Sequence, residues 1–447
     1  MVTRSKTDVK QAVCSVIDSS RESIIGLGED ILKNPEAGFK EVKTARLVAE
    51  ALLGLGLAPR LGLAITGVKA VAQGTGVGPT VAVLGEMDAL INYDHPFADA
   101  QTGAAHCCGH HAQVASMLGA AMGLIHSGAM EHLSGRVAFM AVPAEEFIEL
   151  DYRLHLRRQG KIEFLGGKQE LIRLGVFDDV DMAMITHSAP VEGEAKLGIG
   201  GRGLAFVAKH IRYTGKTAHA ALAPHEAVNA LNAAMVGLMG IHAQRETFAD
   251  EQHVRIHPII THGGDVVNAV PDDVTIETYV RAASTEGLLD ANEKVERALQ
   301  AGAMALGAQL HIENVPGYLP IHNDPQLAAM LKANGVSLVG EGAFEGPWDK
   351  VEGVSGDIGD VGHLMPAVLG FARGWTGRAH TASYLVDDEE VAYILLAKAM
   401  AMTVVDLLWD GAQAARRLLR DYVPRMTKDE YLSLLRGLFE ESAFPIT

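Results

Sequence analysis

Short apolar runs in this chain stop repeatedly at residues that carry protons or bind metals, and this repetition constrains the fold more than any other feature. The run 80–84 leads into Gly85-Glu86-Met87-Asp88, and the run 136–142 into Pro143-Ala144-Glu145-Glu146. The run 182–186 ends at His187, and the run 367–372 is followed by Gly377-Arg378-Ala379-His380. Apolar runs of this length, bounded by Gly-rich turns such as Gly74, Gly76 and Gly78, read as buried strands. They alternate with stretches at helical spacing: 8–56, broken at Asn34-Pro35-Glu36-Ala37-Gly38-Phe39, and then 111–127. This alternation predicts an α/β fold with a largely covered sheet. In such sheets ligands gather at the carboxyl ends of the strands, and the reactive residues fall at those ends.

Each group has a chemical reading and a plain one. In His106-Cys107-Cys108-Gly109-His110-His111, immediately before a helix, Cys108 and His110 stand two apart in a turn. Both can point at one ion, and thiolate and imidazole suit zinc and similar metals; a buried Cys pair and a helix-capping His are the plain alternative. Adjacent Glu145 and Glu146 are costly at the end of an apolar strand unless something uses them. One can ligate a metal while its neighbour moves a proton, whereas an exposed acidic turn is the plain alternative. His187 and His380 taken singly read as structural residues rather than as ligands. The weight lies in the set of Cys108, His110, Glu146, His187 and His380, all beside loops at strand ends.

The length, 447 residues, calls for two or three domains. From about residue 200 the rhythm becomes strand 204–213, helix 226–244, strands 254–261 and 274–282, helix 286–306 and strand 309–315. This βαββαβ order is the ferredoxin-like unit, placed as an inserted domain. The expected division is a catalytic domain from 1–199 and 319–447, with the insert at 200–318. The run Gly198-Ile199-Gly200-Gly201-Arg202-Gly203 resembles a nucleotide loop, but it precedes a strand rather than opening a helix, so it reads as a hinge. Residues 416–439 look like two amphipathic helices around Pro424.

Charge and cysteine usage narrow the partners. The formal net charge is -17 at pH 7, with no long basic stripe, which disfavours nucleic acid. Three cysteines, Cys14, Cys107 and Cys108, do not make a disulfide scaffold. No secretory leader or membrane-length apolar run is read, so the expectation is a soluble, cytoplasmic protein with no membrane partner.

The ordered set of Gly-Glu-Met-Asp-Ala-Leu, His-Cys-Cys-Gly-His, Pro-Ala-Glu-Glu, His187, Gly-Lys-Thr-Ala-His219-Ala and His380 resembles the aminoacylase/carboxypeptidase family of metallohydrolases. The branch it is most similar to contains p-aminobenzoyl-glutamate and indole-acetyl-amino-acid hydrolases. That branch also has counterparts of Asn34-Pro-Glu-Ala-Gly-Phe39 and of Ser355-Gly356-Asp357-Ile358-Gly359-Asp360-Val361. The resemblance spans about 20–405. It implies a metallopeptidase-like catalytic domain with an inserted ferredoxin-like lid that also dimerises, hence a homodimer or larger homo-oligomer. It implies Cys108, His110, Glu146, His187 and His380 as metal ligands for one or two zinc or manganese ions, and Glu145 as general base and acid. His219 matches a lid histidine that reaches a neighbouring active site. Asn268 and Arg281 match lid positions that hold substrate oxygens, and Asp357, in the matched motif, is expected to contact the substrate as well.

Departures are also present: His111 stands where the branch has Asp or Asn, Cys107 where it has Ala, and Ile91 where it has Pro. An insertion, 147–172, carries Arg153, Arg157, Arg158 and Lys161 and is placed to cover the site or extend a subunit contact. The function expected is metal-dependent hydrolysis of a carbon–nitrogen bond in an N-acyl or N-aroyl amino acid or short peptide. The alternative is aryl-amine hydrolysis releasing ammonia, as in 5-nitroanthranilate aminohydrolases of the same broad family. His111 and the Trp375/Arg378 pair flanking His380 suit a flat, anionic aromatic substrate. A non-catalytic binding protein would lack a ligand or the base, and none is missing here.

Overall fold

The computed structural model describes residues 4–439 and 441–445. The chain forms two compact units, Met1–Arg202 with His322–Lys350 and Gly356–Met426, and Gly203–Ile321 with Val351–Ser355 and Thr427–Thr447.

The first unit is built on a nine-stranded sheet. Its centre is four parallel strands in the spatial order Ser134–Val142, Gly76–Glu86, Met182–Pro190 and Ala367–Thr376. They are nearly continuous in Val, Ala, Met and Phe, as strands covered on both faces must be. The register sets Glu86 beside Val142 and His187 beside Phe371, so the carboxyl ends of all four strands lie together. Helix His110–His126, rich in Ala, Ser and Gly, packs against this centre. Gly85 lies so close to it that a Cβ there would meet Val114 Cα at 3.0 Å. Strand and helix backbones thus meet at the point where the strand delivers Glu86 and the helix delivers His110.

The helical segment Glu390–Asp421, kinked by non-helical backbone at Trp409, Asp410, Gly411 and Ala412, is the one described helical segment long and apolar enough to cross a membrane. Its apolar window is 89% buried inside the protein, so it is a core helix of this unit. Val391, Met400, Val404 and Leu408 join Val13, Ile17, Leu118 and Phe139 in one core.

The second unit has a six-stranded antiparallel sheet. Strand Ala205–Thr214 lies between Asp273–Ala282 and Gln309–Pro316, and helices Ala230–Gln244 and Thr285–Leu306 pack on it. This is the βαββαβ unit expected, with two differences. The expected strand 254–261 is broken into Arg255–Ile256 and Ile259–His262, because Pro258 has no N–H to give the ladder. Both pieces still pair with Asp273–Ala282.

The second difference corrects the domain boundaries. The C-terminal residues do not all belong with the catalytic unit, as the 319–447 assignment had it. Helix Lys428–Leu438 and strand Glu441–Phe444 join the second unit: the strand pairs with Gln309–Pro316, while Leu438 and Phe444 enter its core. Amphipathicity shows that a helix must bury one face, not which core receives it. The 147–172 insertion folds as two helices, Leu150–Arg158 and Gly167–Arg173, within the first unit.

Candidate metal centre and active site

The four strand ends and the start of helix His110–His126 bring the reactive side chains together. Three overlapping groups have ligand atoms within 4.8 Å of one another: Cys108, His110 and His187; Cys108, Glu146 and His380; and Glu86, His110 and Glu145. Five sequence-predicted ligands and the predicted base therefore share one neighbourhood.

The turn before the helix works as expected. Gly109 has φ +82°, and a Cβ there would lie 2.5 Å from Ser188 Cβ. Glycine thus permits the close approach that sets Cys108 Sγ 3.3 Å from His187 Nε2. Beneath it, the Ser188 hydroxyl donates to the Cys108 carbonyl oxygen at 2.6 Å, and the Tyr384 hydroxyl donates to Ser188 Oγ at 2.7 Å.

Both central histidines have their tautomers set by backbone. His110 Nδ1 donates to the Asp88 carbonyl at 2.9 Å, and His187 Nδ1 to the Ser188 carbonyl at 2.9 Å. Each Nε2 is then left to face the cluster. His110 Nε2 lies 3.2 Å from Glu86 Oε2 and 3.8 Å from Glu145 Oε2. His380 Nε2 lies 3.7 Å from Glu146 Oε1. His380 sits in a left-handed turn at φ +66°, pinned by its N–H to the Cys107 carbonyl at 2.8 Å.

Electrostatics decide whether a cation fits. His110 Nε2 and Glu146 Oε1 are each buried and have no hydrogen-bond partner, a costly state that a cation bound in the group of either one would relieve. Burial, Glu86 and Glu146 push the Glu145 carboxyl well above its ordinary range. Burial, then Glu146, raises the Cys108 thiol. His110 moves the other way: burial alone would lower it, but Cys108 and Glu86 hold it well up. These are the shifts of a set of anionic donors closed around a space suited to positive charge. Thiolate, imidazole and carboxylate together suit a borderline divalent ion.

An outer layer holds this set, and sequence reasoning missed most of it. Ala144 adopts φ +53°, uncommon for a non-glycine residue. It is held there by Glu41, which accepts its N–H at 2.8 Å and the Thr66 hydroxyl at 2.6 Å. Arg153, in the insertion, has 0% exposure; it donates to the carbonyls of Leu165 at 2.8 Å, Ala144 at 3.3 Å and Glu146. Glu146 N–H donates to Asp88 Oδ2 at 2.9 Å. Lys168, also in the insertion, bonds Glu86 at 2.6 Å and Asp357. Glu86 and Asp88 stood at a strand end in the sequence but received no role. Nothing in the sequence tied Lys168 to a strand end 82 residues away.

Two expected substrate contacts are corrected. Asp357 is wholly buried, with one oxygen on Lys168 Nζ and the other accepting the Lys168 N–H at 2.8 Å, so it anchors the floor rather than facing a substrate. Trp375 is 1% exposed and stacked on Tyr384 at 6.2 Å, behind the Cys108 turn. Arg378 is exposed in the His380 loop.

In the second unit, His219 and Asn268 come together: Ala220 N–H donates to the Asn268 carbonyl at 2.9 Å, and His219 bridges Ala269. His219 Nδ1 accepts the N–H groups of Ala221 and Leu222, both at 3.2 Å, so its proton is on the exposed Nε2. Arg281 donates to Ser355 Oγ at 2.8 Å and lines a cavity of about 380 Å³ with Arg255 and His257.

Residues 202–305 match the peptidase dimerisation domain of the M20 family. An IAA-amino acid hydrolase of Arabidopsis thaliana is 30% identical over 329 residues, covering 69% of this chain and 68% of that protein. An N-acyl-L-amino acid amidohydrolase of Geobacillus stearothermophilus is 27% identical over 346 residues, covering 75% of this chain and 88% of that protein. The fold is shared with a dinuclear metal-binding M20 peptidase of Bacillus subtilis, at TM-score 0.67 and 22% identity over 88% of this chain and 99% of that one. The class that fold and site define is a metal-binding hydrolase of carbon–nitrogen bonds. The chain belongs to the M20 family of peptidases and amidohydrolases.

Arg153 carries much of the outer layer, and its contribution is measurable. Replacing it with Met removes the donor to the buried Leu165 carbonyl, at about 1–3 kcal/mol for an unsatisfied group, and one of two donors to the Ala144 and Glu146 carbonyls, which keep the N–H groups of Gly167 and Ile148. Arg153→Met should lower unfolding free energy by about 1–3 kcal/mol in urea denaturation. A loss below about 1 kcal/mol would show that the guanidinium does not hold the strand-end loop.

Proposed function

We propose that the chain hydrolyses the amide bond of an N-acyl or N-aroyl amino acid or a short peptide. The observation that carries this reading is the position of Glu145: a buried carboxyl of raised proton affinity, 3.8 Å from His110 Nε2 and next to the Glu146–His380 pair. Cys108, His110, Glu146, His187 and His380 would hold one or two divalent ions, zinc or manganese. Such ions supply Lewis acidity that polarises a carbonyl and makes water acidic near neutral pH.

Glu145 then takes the proton of the attacking water on a carboxyl oxygen as the carbon–oxygen bond forms. It returns that proton to the amide nitrogen as the carbon–nitrogen bond breaks, which requires a carboxyl poised closer to neutrality than an exposed one. His219, with Nε2–H directed outward, is suited to donate a hydrogen bond to the carbonyl oxygen as negative charge develops. Arg281 and Arg255 line a cavity together with His257 and Glu352, and the two guanidinium groups favour a substrate bearing a carboxylate. Asn268, beside His219, supplies a further amide contact. The relatives named as hydrolases of amino-acid conjugates support the same substrate class.

The aryl-amine alternative loses two side chains that suggested it. His111 is buried inside the first unit at 2% exposure, and Trp375 is closed off; Arg378 alone remains at the surface. A thiol among the ligands suits a reducing compartment such as the cytoplasm.

The lid also supports a homodimer. Its helix Ala230–Gln244 buries Ala230, Ala233, Ala234 and Ile241 but exposes Met235, Val236 and Met239. The strand Ile259–His262 at the sheet edge exposes Ile259 and Ile260. Exposed apolar side chains on a helix and on an edge strand of one lid suit an interface.

The functional test is mass-spectrometric: N-acyl and N-aroyl amino acids, dipeptides and aryl amines are offered to wild type and to Glu145→Gln. Amino-acid release by wild type, reduced at least about a hundredfold in the variant with metal content unchanged, is the expected result. Ammonia release from aryl amines without amide cleavage would overturn the substrate class, and near-normal turnover by Glu145→Gln would remove it as base. The trans role of His219 is checked by mixing inactive His219→Ala and Glu145→Gln subunits under exchange. Half of random dimers carry one intact site, so about a quarter of wild-type activity should return. Confirmed exchange without recovery would show that His219 does not serve its partner.

A further inference from the structure

We propose that Lys168 is a positioning residue of the hydrolytic site: its buried ammonium fixes Glu86 against His110 and so sets the arrangement of His110 and Glu145. The inference rests on the amidohydrolase reading above and adds to it a residue from the 147–172 insertion.

The backbone delivers this lysine with little freedom. Helix Gly167–Arg173 begins pressed against the loop that carries the two glutamates, with Gly167 N–H donating to the Ala144 carbonyl at 3.1 Å. A Cβ on Gly167 would lie 1.6 Å from the Pro143 carbonyl oxygen, so only glycine allows this approach. The next residue, Lys168, is therefore aimed inward and has 0% exposure.

A buried ammonium is tolerated only when it is paired and hydrogen-bonded. Lys168 Nζ meets Glu86 Oε1 at 2.6 Å and also contacts Asp357 Oδ1, while the Lys168 N–H donates to Asp357 Oδ2 at 2.8 Å. Asp357 thus fixes both the charge and the backbone of the lysine. The other Glu86 oxygen, Oε2, accepts Gln113 Nε2–H at 2.8 Å and lies 3.2 Å from His110 Nε2. Glu86 is gripped on both oxygens, by Lys168 on one side and by Gln113 on the other. It cannot swing, and the ring of His110 and the carboxyl of Glu145 are packed against a carboxylate of fixed place and charge.

The test uses the full chain with cobalt(II) as the probe, because its visible absorption reports ligand arrangement without any substrate. Lys168→Met is compared with wild type; should it fail to fold, Lys168→Met/Asp357→Asn removes a buried carboxylate together with the ammonium. The expected variant binds cobalt at wild-type stoichiometry, shows a shifted visible spectrum, and loses at least about tenfold in kcat with KM changed by less than about threefold. A wild-type cobalt spectrum with kcat within about twofold of wild type would overturn the proposal, as would a loss of activity that only follows lost metal. Failure of the amidohydrolase reading is a separate result: wild type would turn over no amide, while the cobalt spectra would still separate variant from wild type.

Discussion

The structure depends on the gathering of buried carboxylates at one end of a parallel sheet. Glu41, Glu86, Asp88, Glu145, Glu146 and Asp357 are all at or below 8% exposure in the same region. Unpaired charges of one sign cannot be buried together without cost. Lys168 and Arg153 answer part of that cost, one by ion pairs and one by hydrogen bonds to the carbonyls around Ala144–Glu146. The rest shows as displaced proton affinities at Glu41, Asp357, Glu145, Glu146, Cys108, His110 and His187, so the electrostatic strain runs through the whole carboxylate cluster and includes the place where a cation and a reactive proton are useful.

Parallel strand order makes this possible. Four neighbouring strands carry their carboxyl ends to one edge, so residues 86, 145–146, 187 and 380 converge although they span most of the chain. The packing behind them is tight enough to leave little choice of residue: Gly85, Gly109 and Gly167 each sit where a Cβ would press on a neighbour. Rigidity of that order is what keeps a proton acceptor within hydrogen-bonding range of its reacting partner.

The sequence carried the catalytic strands plainly because each is an apolar run closed by a polar residue, and strands buried on both faces write themselves that way. Helix Thr285–Leu306 and the βαββαβ order were equally visible, since amphipathic spacing persists over 22 residues. Less visible was everything that depends on which surfaces meet. Lys168 and Arg153 lie in an insertion whose local pattern gives no sign that their charges end up buried among carboxylates. Asp357 sits in a recognisable motif, yet its role as an anchor follows from a lysine 189 residues earlier. Trp375 read as a surface for a flat substrate because, with Arg378, it flanks His380; its own side chain turns inward onto Tyr384. Helix Lys428–Leu438 announces one apolar face but not the core that it joins.

The proposed activity rests on the strand-end cluster acting as a divalent-metal centre. The decisive measurement is metal content by elemental analysis of the purified chain, with thermal unfolding followed before and after chelation and after re-addition of zinc or manganese. A ligand bound by the folded state alone stabilises it. The expected result is at least one divalent transition ion per chain, a lower unfolding temperature on chelation, and recovery of both stability and amide hydrolysis on re-addition. A metal-free chain that hydrolyses amides, with an unfolding temperature indifferent to chelator, would contradict it.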